Sequence, residues 1–165
     1  MSENLVVAVI GNRNSGKSST WNELFGRDVR TGTELRKLYL NSNEYVEVFL
    51  VSGSPEERKK DIETIVPAYN PRIVLCSIQY QEHGFETIDY FTERGYFLFA
   101  HWLNPGYKDA SYNEDDLGLI PKVLAKESLL GIKNGQIELS NRVKEIKDFI
   151  YGWAKPRNLL RSDPS

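Results

Sequence analysis

Residues 5–26 of the chain read LVVAVIGNRNSGKSSTWNELFG, and this stretch decides the fold. Its first six residues form a continuous apolar run rich in valine, which is typical of a strand buried on both faces of a parallel sheet. Residues 17–25 have helical character, because Trp21, Leu24 and Phe25 are spaced to face inward. Gly26 follows as a residue suited to end a helix. The stretch therefore predicts a strand, a tight loop and a helix in direct succession.

The loop in this stretch, GNRNSGKS at residues 11–18, satisfies the pattern G-x-x-x-x-G-K-[ST]. Between a buried strand and a helix N-terminus, free backbone N–H groups and the positive end of the helix dipole converge on an anion. We expect Lys17 to reach the β and γ phosphates of a nucleoside triphosphate, GTP or ATP, and the Ser18 hydroxyl to bind Mg²⁺. A chance match with a solvated lysine is the alternative, which the flanking strand and helix disfavour. The predicted phosphate-binding residues are Gly11, Asn12, Arg13, Asn14, Ser15, Gly16, Lys17, Ser18 and Ser19.

Apolar segments alternate along the rest of the chain between strand-like and helix-like patterns. The predicted strands cover residues 35–40 and 45–51, which form an antiparallel hairpin, then residues 72–78 and 96–103, and a short edge strand at 136–139. The predicted helices cover residues 55–66, the segment around Phe85, Ile88 and Phe91 that Gly95 ends, residues 115–130, and a last helix that Ser140 caps. Alternating strands and helices predict an α/β fold of the three-layer P-loop type, with a mostly parallel sheet, one antiparallel hairpin and helices on both faces.

Length and composition indicate one globular domain. The chain has 165 residues and a net charge of −2, and no run of like charges supports binding to nucleic acid or to an anionic membrane. We assign residues 1–155 to the nucleotide-binding domain and expect the polar tail at residues 156–165 to be frayed. The apolar start is too short to span a membrane, and the acidic Glu3 replaces the basic flank of a signal peptide, so a cytoplasmic location is the default expectation.

The segment GNRNSGKSSTWNELFG at residues 11–26 resembles the opening of the Era-like branch of P-loop GTPases, whose usual form is GxxNxGKSTLxNxLxG. The matched positions beyond the phosphate loop are Asn22, Leu24 and Gly26. The resemblance implies that Thr33, or less favourably Thr31, completes the magnesium shell. The order of elements after the loop is also similar to that of a Ras-like domain.

One motif of that family is missing at the end of the predicted third strand. The family has Asp-x-x-Gly there, whereas this chain has FLVSGSPEE at residues 49–57, without an aspartate. Gly53 could donate its N–H to the γ phosphate, and Glu56 or Glu57 could orient a hydrolytic water as a general base. A helix start also explains the two glutamates, because acidic residues are favoured in the first turn of a helix. We favour that interpretation over a catalytic one.

The base-recognition motif of the family, Asn-Lys-x-Asp, is also missing. The strand at residues 96–103 is followed by Asn104-Pro105-Gly106, so Asn104 is a candidate for a base contact. Asp109 could substitute for the missing aspartate if the loop folds back, and a turn without any base contact is the simpler interpretation. Residues 140–142 stand where the last base-side loop of the family occurs, although Ser140 is equally explained as a helix cap. Arg13 could act on the γ phosphate as a built-in arginine finger, or simply be exposed.

Three functions follow from these features. The first is a purine triphosphatase or switch with slow hydrolysis, in which Lys17 and Glu56 are the catalytic candidates. The second is a degenerate GTPase-like binding module that acts through contact with a protein partner. The third is a nucleotide or small-molecule kinase, which the lack of an arginine-rich lid disfavours. Retention of Lys17, Ser18 and a switch-like threonine favours nucleotide binding with Mg²⁺.

Overall fold

The computed structural model describes residues 2–56 and 59–164. Strands and helices alternate along these residues in the order β1 (Asn4–Gly11), α1 (Lys17–Phe25), β2 (Arg36–Tyr39), β3 (Glu44–Val51), β4 (Ile73–Gln79), α2 (Glu82–Glu93), β5 (Tyr96–Leu103), α3 (Leu119–Leu124), β6 (Ser128–Lys133), α4 (Ser140–Ala154) and β7 (Arg161–Ser162). Short 3₁₀ helices lie at Ile62–Thr64 and Lys155–Arg157.

The described strands form one mixed sheet in the order β2-β3-β4-β1-β5-β6, and β7 pairs with the start of β3. Neighbouring strands from β3 to β6 run parallel, whereas β2 and β7 are antiparallel to β3. Strand β1 lies in the middle of the sheet, between β4 and β5, which explains its uninterrupted apolar run. The predicted α/β class, with a mostly parallel sheet and one antiparallel hairpin, is confirmed.

Helices cover both faces of the sheet. Because side chains alternate along a strand, Leu5, Val7 and Val9 of β1 pack on one face, together with α1 and α4. Their neighbours Val6 and Ala8 pack on the other face, together with α2 and α3. None of the helices in the described ranges combines the length and the hydrophobicity needed to cross a lipid bilayer.

The connections that leave β1 and β4 run to opposite sides of the sheet. Helix α1 follows β1 and packs on one face, while α2 follows β4 and packs on the other, although the two strands are neighbours. In open α/β sheets, ligands bind in the crevice that such a divergence opens at the carboxyl ends of the strands. This crevice lies where residues 11–16 leave β1.

The helix predicted over residues 55–66 is wrong in its described part. Pro55 and Glu56 lie in a turn, Lys60 N–H bonds back to Pro55 O at 2.9 Å, and Lys59 has a positive φ of 54° that interrupts a right-handed helix. In the described part of this segment, regular helical structure is confined to the 3₁₀ turn Ile62–Thr64.

The helix predicted over residues 115–130 is much shorter, because its second half is a strand. Gly118 takes a left-handed conformation with φ of 73° just before α3, which ends at Leu124. Ser128–Lys133 then pairs in parallel with β5 over its whole length. The edge strand predicted at residues 136–139 is therefore also wrong, since β6 occupies that edge and residues 134–139 form a loop.

The C-terminal part of the chain differs from the prediction in two ways. Ser140 is the first residue of α4 rather than its cap, and no side chain caps this helix. In place of the frayed tail expected after Pro156, the structure has β7 paired with β3, while Arg157 lies over the Trp153 ring at 3.6 Å and bonds to Ser2 O at 3.1 Å. The polar composition of the tail does not predict these contacts, because the arginine packs through the planar face of its guanidinium group.

Candidate functional site

The loop between β1 and α1 is tightly curled. Ser15 N–H bonds to Asn12 O at 3.1 Å, and Asn14 adopts a left-handed conformation with φ of 62°. Gly16 has a φ of 102°, a left-handed value that residues with a Cβ rarely adopt. A Cβ on Gly11 would lie 2.3 Å from the Ser15 Oγ, so the first glycine is needed for the loop to fold back on itself. Steric constraints thus explain why the sequence pattern has glycine at both positions.

Helix α1 begins at this loop without a side-chain cap. Its N-cap residue is Gly16, which has no side chain to bond the N–H groups of the first turn. The first N–H groups of a helix have no partner within the helix, so they are available to an anion in front of it. Ser18 and Ser19 are exposed at this end of the helix, whereas Ser15 is buried with no hydrogen-bond partner for its hydroxyl among the described residues.

Lys17 is buried although it carries a charge, and its ammonium group folds over the loop. The Lys17 Nζ donates to Gly11 O at 3.1 Å, to Asn12 O at 2.8 Å and to the Gln79 Oε1 at 3.2 Å. Gln79 is the last residue of β4, the strand next to β1. The structure therefore adds Gln79 to the site, a residue that the sequence analysis missed. The rule that sites gather at the carboxyl ends of parallel strands could have found it.

Two further loops pack against the phosphate loop at Ser15. The loop after β5 brings Tyr107 N–H within 3.0 Å of Ser15 O, and a Cβ on Gly106 would lie 2.7 Å from the Ser15 Cβ. The loop after β6 approaches equally closely, because a Cβ on Gly135 would lie 2.9 Å from Ser15 O. The carboxyl ends of β1, β5 and β6 thus converge on one place.

A cavity of about 550 Å³ opens beside this junction. It runs from Gly16 and Ser19, at the start of α1, to the first turn of α4, where the buried side chain of Arg142 lines it. This volume lies within the range of about 300–1,000 Å³ that is usual for small-molecule sites. The loop at residues 11–16 therefore adjoins a space of the size that is usual for a small-molecule ligand. The lining residues are Gly16, Ser19, Glu23, Tyr107, Gly135, Gln136, Ile137, Glu138, Leu139 and Arg142.

Glu56 follows β3 and is buried beside the first turn of α2. Its Oε1 would lie 2.9 Å from a Cβ on Gly84, and neither carboxylate oxygen has a hydrogen-bond partner in the described part of the chain. Burial raises the pKa of the Glu56 carboxyl, and the nearby backbone of Glu56 and Gln79 together with the charges of His83 and Lys17 offset only part of that rise. The helix-start interpretation of Glu56 is wrong, because no helix begins there. Glu57 lies outside the described residues.

No protein-family model matches this chain, and no curated protein matches it at a significant level.

Thr31, rather than Thr33, contacts the loop that follows β3. The Thr31 hydroxyl accepts hydrogen bonds from Ser52 N–H at 2.9 Å and from Gly53 N–H at 3.4 Å, whereas Thr33 is exposed in the loop before β2. The N–H of Gly53, a candidate donor to the γ phosphate, is therefore bonded to a side chain in this structure. Strand β4 also separates β3 from β1, so the end of β3 lies one strand further from the phosphate loop.

Asn104 is buried and shapes the loop after β5. Its Oδ1 accepts Asn113 N–H at 2.7 Å, and its Nδ2 donates to Asn113 O at 2.8 Å. Both polar groups of the side chain are thus bonded to main chain. Arg13, in contrast, is exposed at the tip of the phosphate loop, as one of its two interpretations expected.

Replacing Glu56 by glutamine is expected to stabilise the protein at neutral pH. The folded state holds the Glu56 proton more tightly than the unfolded state does, so its contribution to stability falls as pH rises from the ordinary value of 4.5 through the raised pKa. We expect Glu56→Gln to gain about 1–3 kcal/mol at pH 8, where the wild type buries a carboxylate that has no hydrogen-bond partner among the described residues. The gain should shrink at pH 4. Urea unfolding at both pH values measures it.

Glu47→Gln is the matched control, because Glu47 is exposed on β3. Its stability should stay within about 0.5 kcal/mol of the wild type at both pH values. A Glu56→Gln protein that is less stable at pH 8 than at pH 4, relative to the wild type, would contradict a pKa that burial raises.

Proposed function

We propose that this chain binds a purine nucleoside triphosphate, GTP or ATP, together with Mg²⁺, and hydrolyses it slowly. The observation that carries the proposal is the curled loop at residues 11–16, which presents an uncapped helix N-terminus and the buried Lys17 ammonium at the carboxyl end of β1. Backbone N–H groups, helix dipole and one cation in the same place form a site for a polyanion. A lone solvated lysine would not be buried against loop carbonyls.

The triphosphate is proposed to replace interactions that the loop makes with itself. The Lys17 ammonium bonds to two loop carbonyls, and it would turn to the β and γ phosphates when these arrive. The Gln79 amide would keep its contact with Lys17 and hold the ammonium near the phosphates. Charge-assisted bonds to phosphate are stronger than bonds to neutral carbonyls, which favours this exchange.

The oxygen donors of the site fit a magnesium ion. Mg²⁺ prefers oxygen ligands and is usually bound by one or two protein groups together with phosphates. Ser18 offers an exposed hydroxyl at the start of α1, and Glu56 offers a buried carboxylate whose oxygens lack hydrogen-bond partners among the described residues. Ser18 would hold the ion directly, and Glu56 would bind water of its shell. When bound, the ion neutralises charge that develops on the phosphates.

Glu56 is also the proposed general base for hydrolysis. A general base works best with a pKa near the operating pH, and burial shifts the pKa of Glu56 in that direction. Water entering beside Lys17 would give its proton to this buried carboxylate. We expect hydrolysis to be slow, because no arginine other than the exposed Arg13 lies in the phosphate loop to stabilise the transition state.

Thermal melting with nucleotides tests the binding step. A ligand that binds the native state alone raises the melting temperature, and a concentration of 100 times Kd contributes about 2.7 kcal/mol. We expect MgGTP or MgATP to raise the melting temperature of the wild type by several degrees, and the magnesium-free nucleotide to raise it less. No shift with any purine triphosphate, with or without Mg²⁺, would overturn the proposal.

Measurement of phosphate release distinguishes a function as an enzyme from a function as a binding module that does not hydrolyse the nucleotide. We expect release by the wild type to exceed that by Glu56→Gln, while both proteins bind the triphosphate. Equal release from the two would remove Glu56 as the base. The binding module is the second candidate, because residues 52–54 offer no carboxylate at the end of β3 and Thr31 already holds the Gly53 N–H. Release no faster than that of a non-binding variant would favour it.

A further inference from the structure

Strand β6 has an open side at the end of the sheet. It pairs with β5 over residues 128–133, and none of the described strands lies on its other side. The Leu98 N–H donates to Glu127 O at 3.0 Å, and the Asn104 N–H donates to Lys133 O at 2.8 Å. Because the direction of the main-chain groups alternates along a strand, the odd-numbered residues of β6 bond to β5. The N–H and C=O groups that point outward are those of residues 128, 130 and 132.

The open side of β6 lacks the features that usually prevent strand pairing. Natural proteins protect edge strands with charged side chains, proline or a short length. The opposite edge of the sheet has such protection, because β2 is four residues long and contains Arg36 and Lys37. Residues 128–132 read SLLGI, without charge or proline, and Leu129 and Ile132 are 50% and 48% exposed. The edge at β6 is therefore suited to accept a further strand.

We propose that β6 pairs in an antiparallel direction with β6 of a second copy of this chain, so that the sheet continues through both copies. In one register every outward residue meets another, with Leu130 opposite Leu130 of the second copy and Ser128 opposite Ile132. This register forms about six main-chain hydrogen bonds. A shift by two residues in either direction leaves one outward residue of each copy without an opposing residue of β6. A two-fold axis at Leu130 then relates the copies and closes the dimer.

The charges that flank β6 are self-complementary about the same centre. Glu127 lies three residues before Leu130, and Lys133 lies three residues after it. The register places Glu127 of each copy opposite Lys133 of the other, and opposite charges directly across a strand pair are stabilising. Lys133 also bonds to Glu145 at 2.7 Å, but an ammonium group has three donors and can serve both carboxylates. Since main-chain geometry alone selected the register, the charge match independently favours a second copy over an unrelated strand.

The same pairing covers apolar side chains that are exposed in a single chain. Ile132 would lie diagonally beside Leu130 of the second copy, within reach of its side chain. Leu129 would lie opposite Gly131 of the second copy, which has no side chain to obstruct it. The dimer therefore removes from water the two large apolar side chains that stand exposed on β6.

Pairing of this kind is independent of nucleotide binding. Antiparallel β6 strands turn the carboxyl ends of the two parallel sheets in opposite directions. The loops at residues 11–16 of the two copies therefore lie at opposite ends of the joined sheet, and neither copy completes the site of the other. A chain that binds no nucleotide should still form the dimer, so failure of the proposed function leaves this inference untouched.

Light scattering of the full chain without nucleotide tests the association. We expect the mass of the wild type to rise with concentration from 19.0 kDa to twice that value at concentrations below about 1 mM. Amide hydrogen exchange at residues 128, 130 and 132 should slow as the dimer forms, whereas residues 129 and 131 are protected in both states by β5. A wild type that stays monomeric, or exchange at the three outward residues that does not change with association, would overturn the proposal.

Charge reversal tests the register. We expect Glu127→Lys and Lys133→Glu each to weaken self-association by about 10-fold or more, because each places like charges opposite one another at both ends of the pair. An equal mixture of the two variants should form a heterodimer with near wild-type affinity, since every opposing pair then has opposite charges. A variant that had merely lost its fold could not be restored in this way.

Glu34→Lys is the matched control, because Glu34 is exposed in the loop before β2, at the opposite edge of the sheet. Its self-association should stay within about 2-fold of the wild type. A dimer that both single variants leave intact, or a mixture that does not associate, would show that the copies do not pair through β6.

Discussion

Replacing Lys17 by alanine is expected to weaken the binding of magnesium triphosphate by about 30-fold to more than 1,000-fold. Removing one partner of a buried, hydrogen-bonded charge pair costs roughly 2–5 kcal/mol, and each 1.4 kcal/mol is a factor of ten in affinity. Lys17 is the cation that the loop holds at its centre, so the two terminal phosphates would lose their principal positive partner. Calorimetry with MgGTP and MgATP measures the loss.

Lys144→Ala is the matched control for this change. Lys144 is exposed on α4 and pairs with Asp148 one turn away, so its removal should alter nucleotide affinity by less than 2-fold and stability by about 0.5 kcal/mol. Lys17→Ala itself should remain folded, because it loses hydrogen bonds worth about 1 kcal/mol each but leaves the core intact. Folded Lys17→Ala protein with wild-type affinity would show that the loop does not bind the phosphates through this residue.

Replacing Gly84 by alanine is expected to destabilise the protein by about 1–3 kcal/mol or more. Gly84 lies in the first turn of α2 and is buried, and an added Cβ would lie 2.2 Å from Gln79 O and 3.0 Å from the Ile78 Cγ2. The closest atom belongs to the backbone of β4, which cannot move aside as a side chain can. Helix α2 must therefore shift away from the carboxyl end of β4. Urea unfolding measures the free energy of unfolding.

Gly152→Ala makes the same chemical change in a helix where nothing lies within 4 Å of the added Cβ. It should stabilise the protein by about 0.5–1 kcal/mol, since alanine is the better helix former. A loss of stability in Gly84→Ala and a gain in Gly152→Ala would separate the effect of close packing from that of helix propensity. Equal effects would show that the approach of α2 to β4 is not as close as the structure has it.

Gly84→Ala should also weaken nucleotide binding, because Gln79 and Glu56 both adjoin Gly84. Gln79 bonds to Lys17, so a displaced β4 end loosens the ammonium group. The effect on affinity should be smaller than that of Lys17→Ala, which removes the cation altogether. This order of effects distinguishes a residue that positions the site from one that contacts the ligand.

Local patterns were sufficient for the elements around the phosphate loop. The apolar run at residues 5–10 and the spacing of Trp21 and Leu24 predicted β1 and α1 nearly to their ends, because each element buries residues at its own period. The predictions failed where tertiary pairing competes with local propensity. Residues 128–130 look helical in isolation, yet β5 offers them a complete ladder of hydrogen bonds.

Helix signals also misled where a turn was needed. Pro55 and Glu56 satisfy the usual pattern of a helix start, but the chain turns there and buries the Glu56 carboxylate. A sequence pattern reports which conformation a segment prefers alone. It does not report that a neighbouring loop will enclose a charged side chain.

By itself the sequence determined the strand, the curled loop and the helix that hold Lys17, because glycine sterics and short-range periodicity act between residues close along the chain. The tertiary structure alone decided that Gln79 bonds to Lys17, that the Glu56 carboxylate is buried with no hydrogen-bond partner among the described residues, and that Arg142 lines the cavity beside the loop. These residues are separated by dozens of positions in sequence. Only the order of strands in the sheet brings them to one edge, and that order follows from long-range pairing, for which a local pattern carries little information.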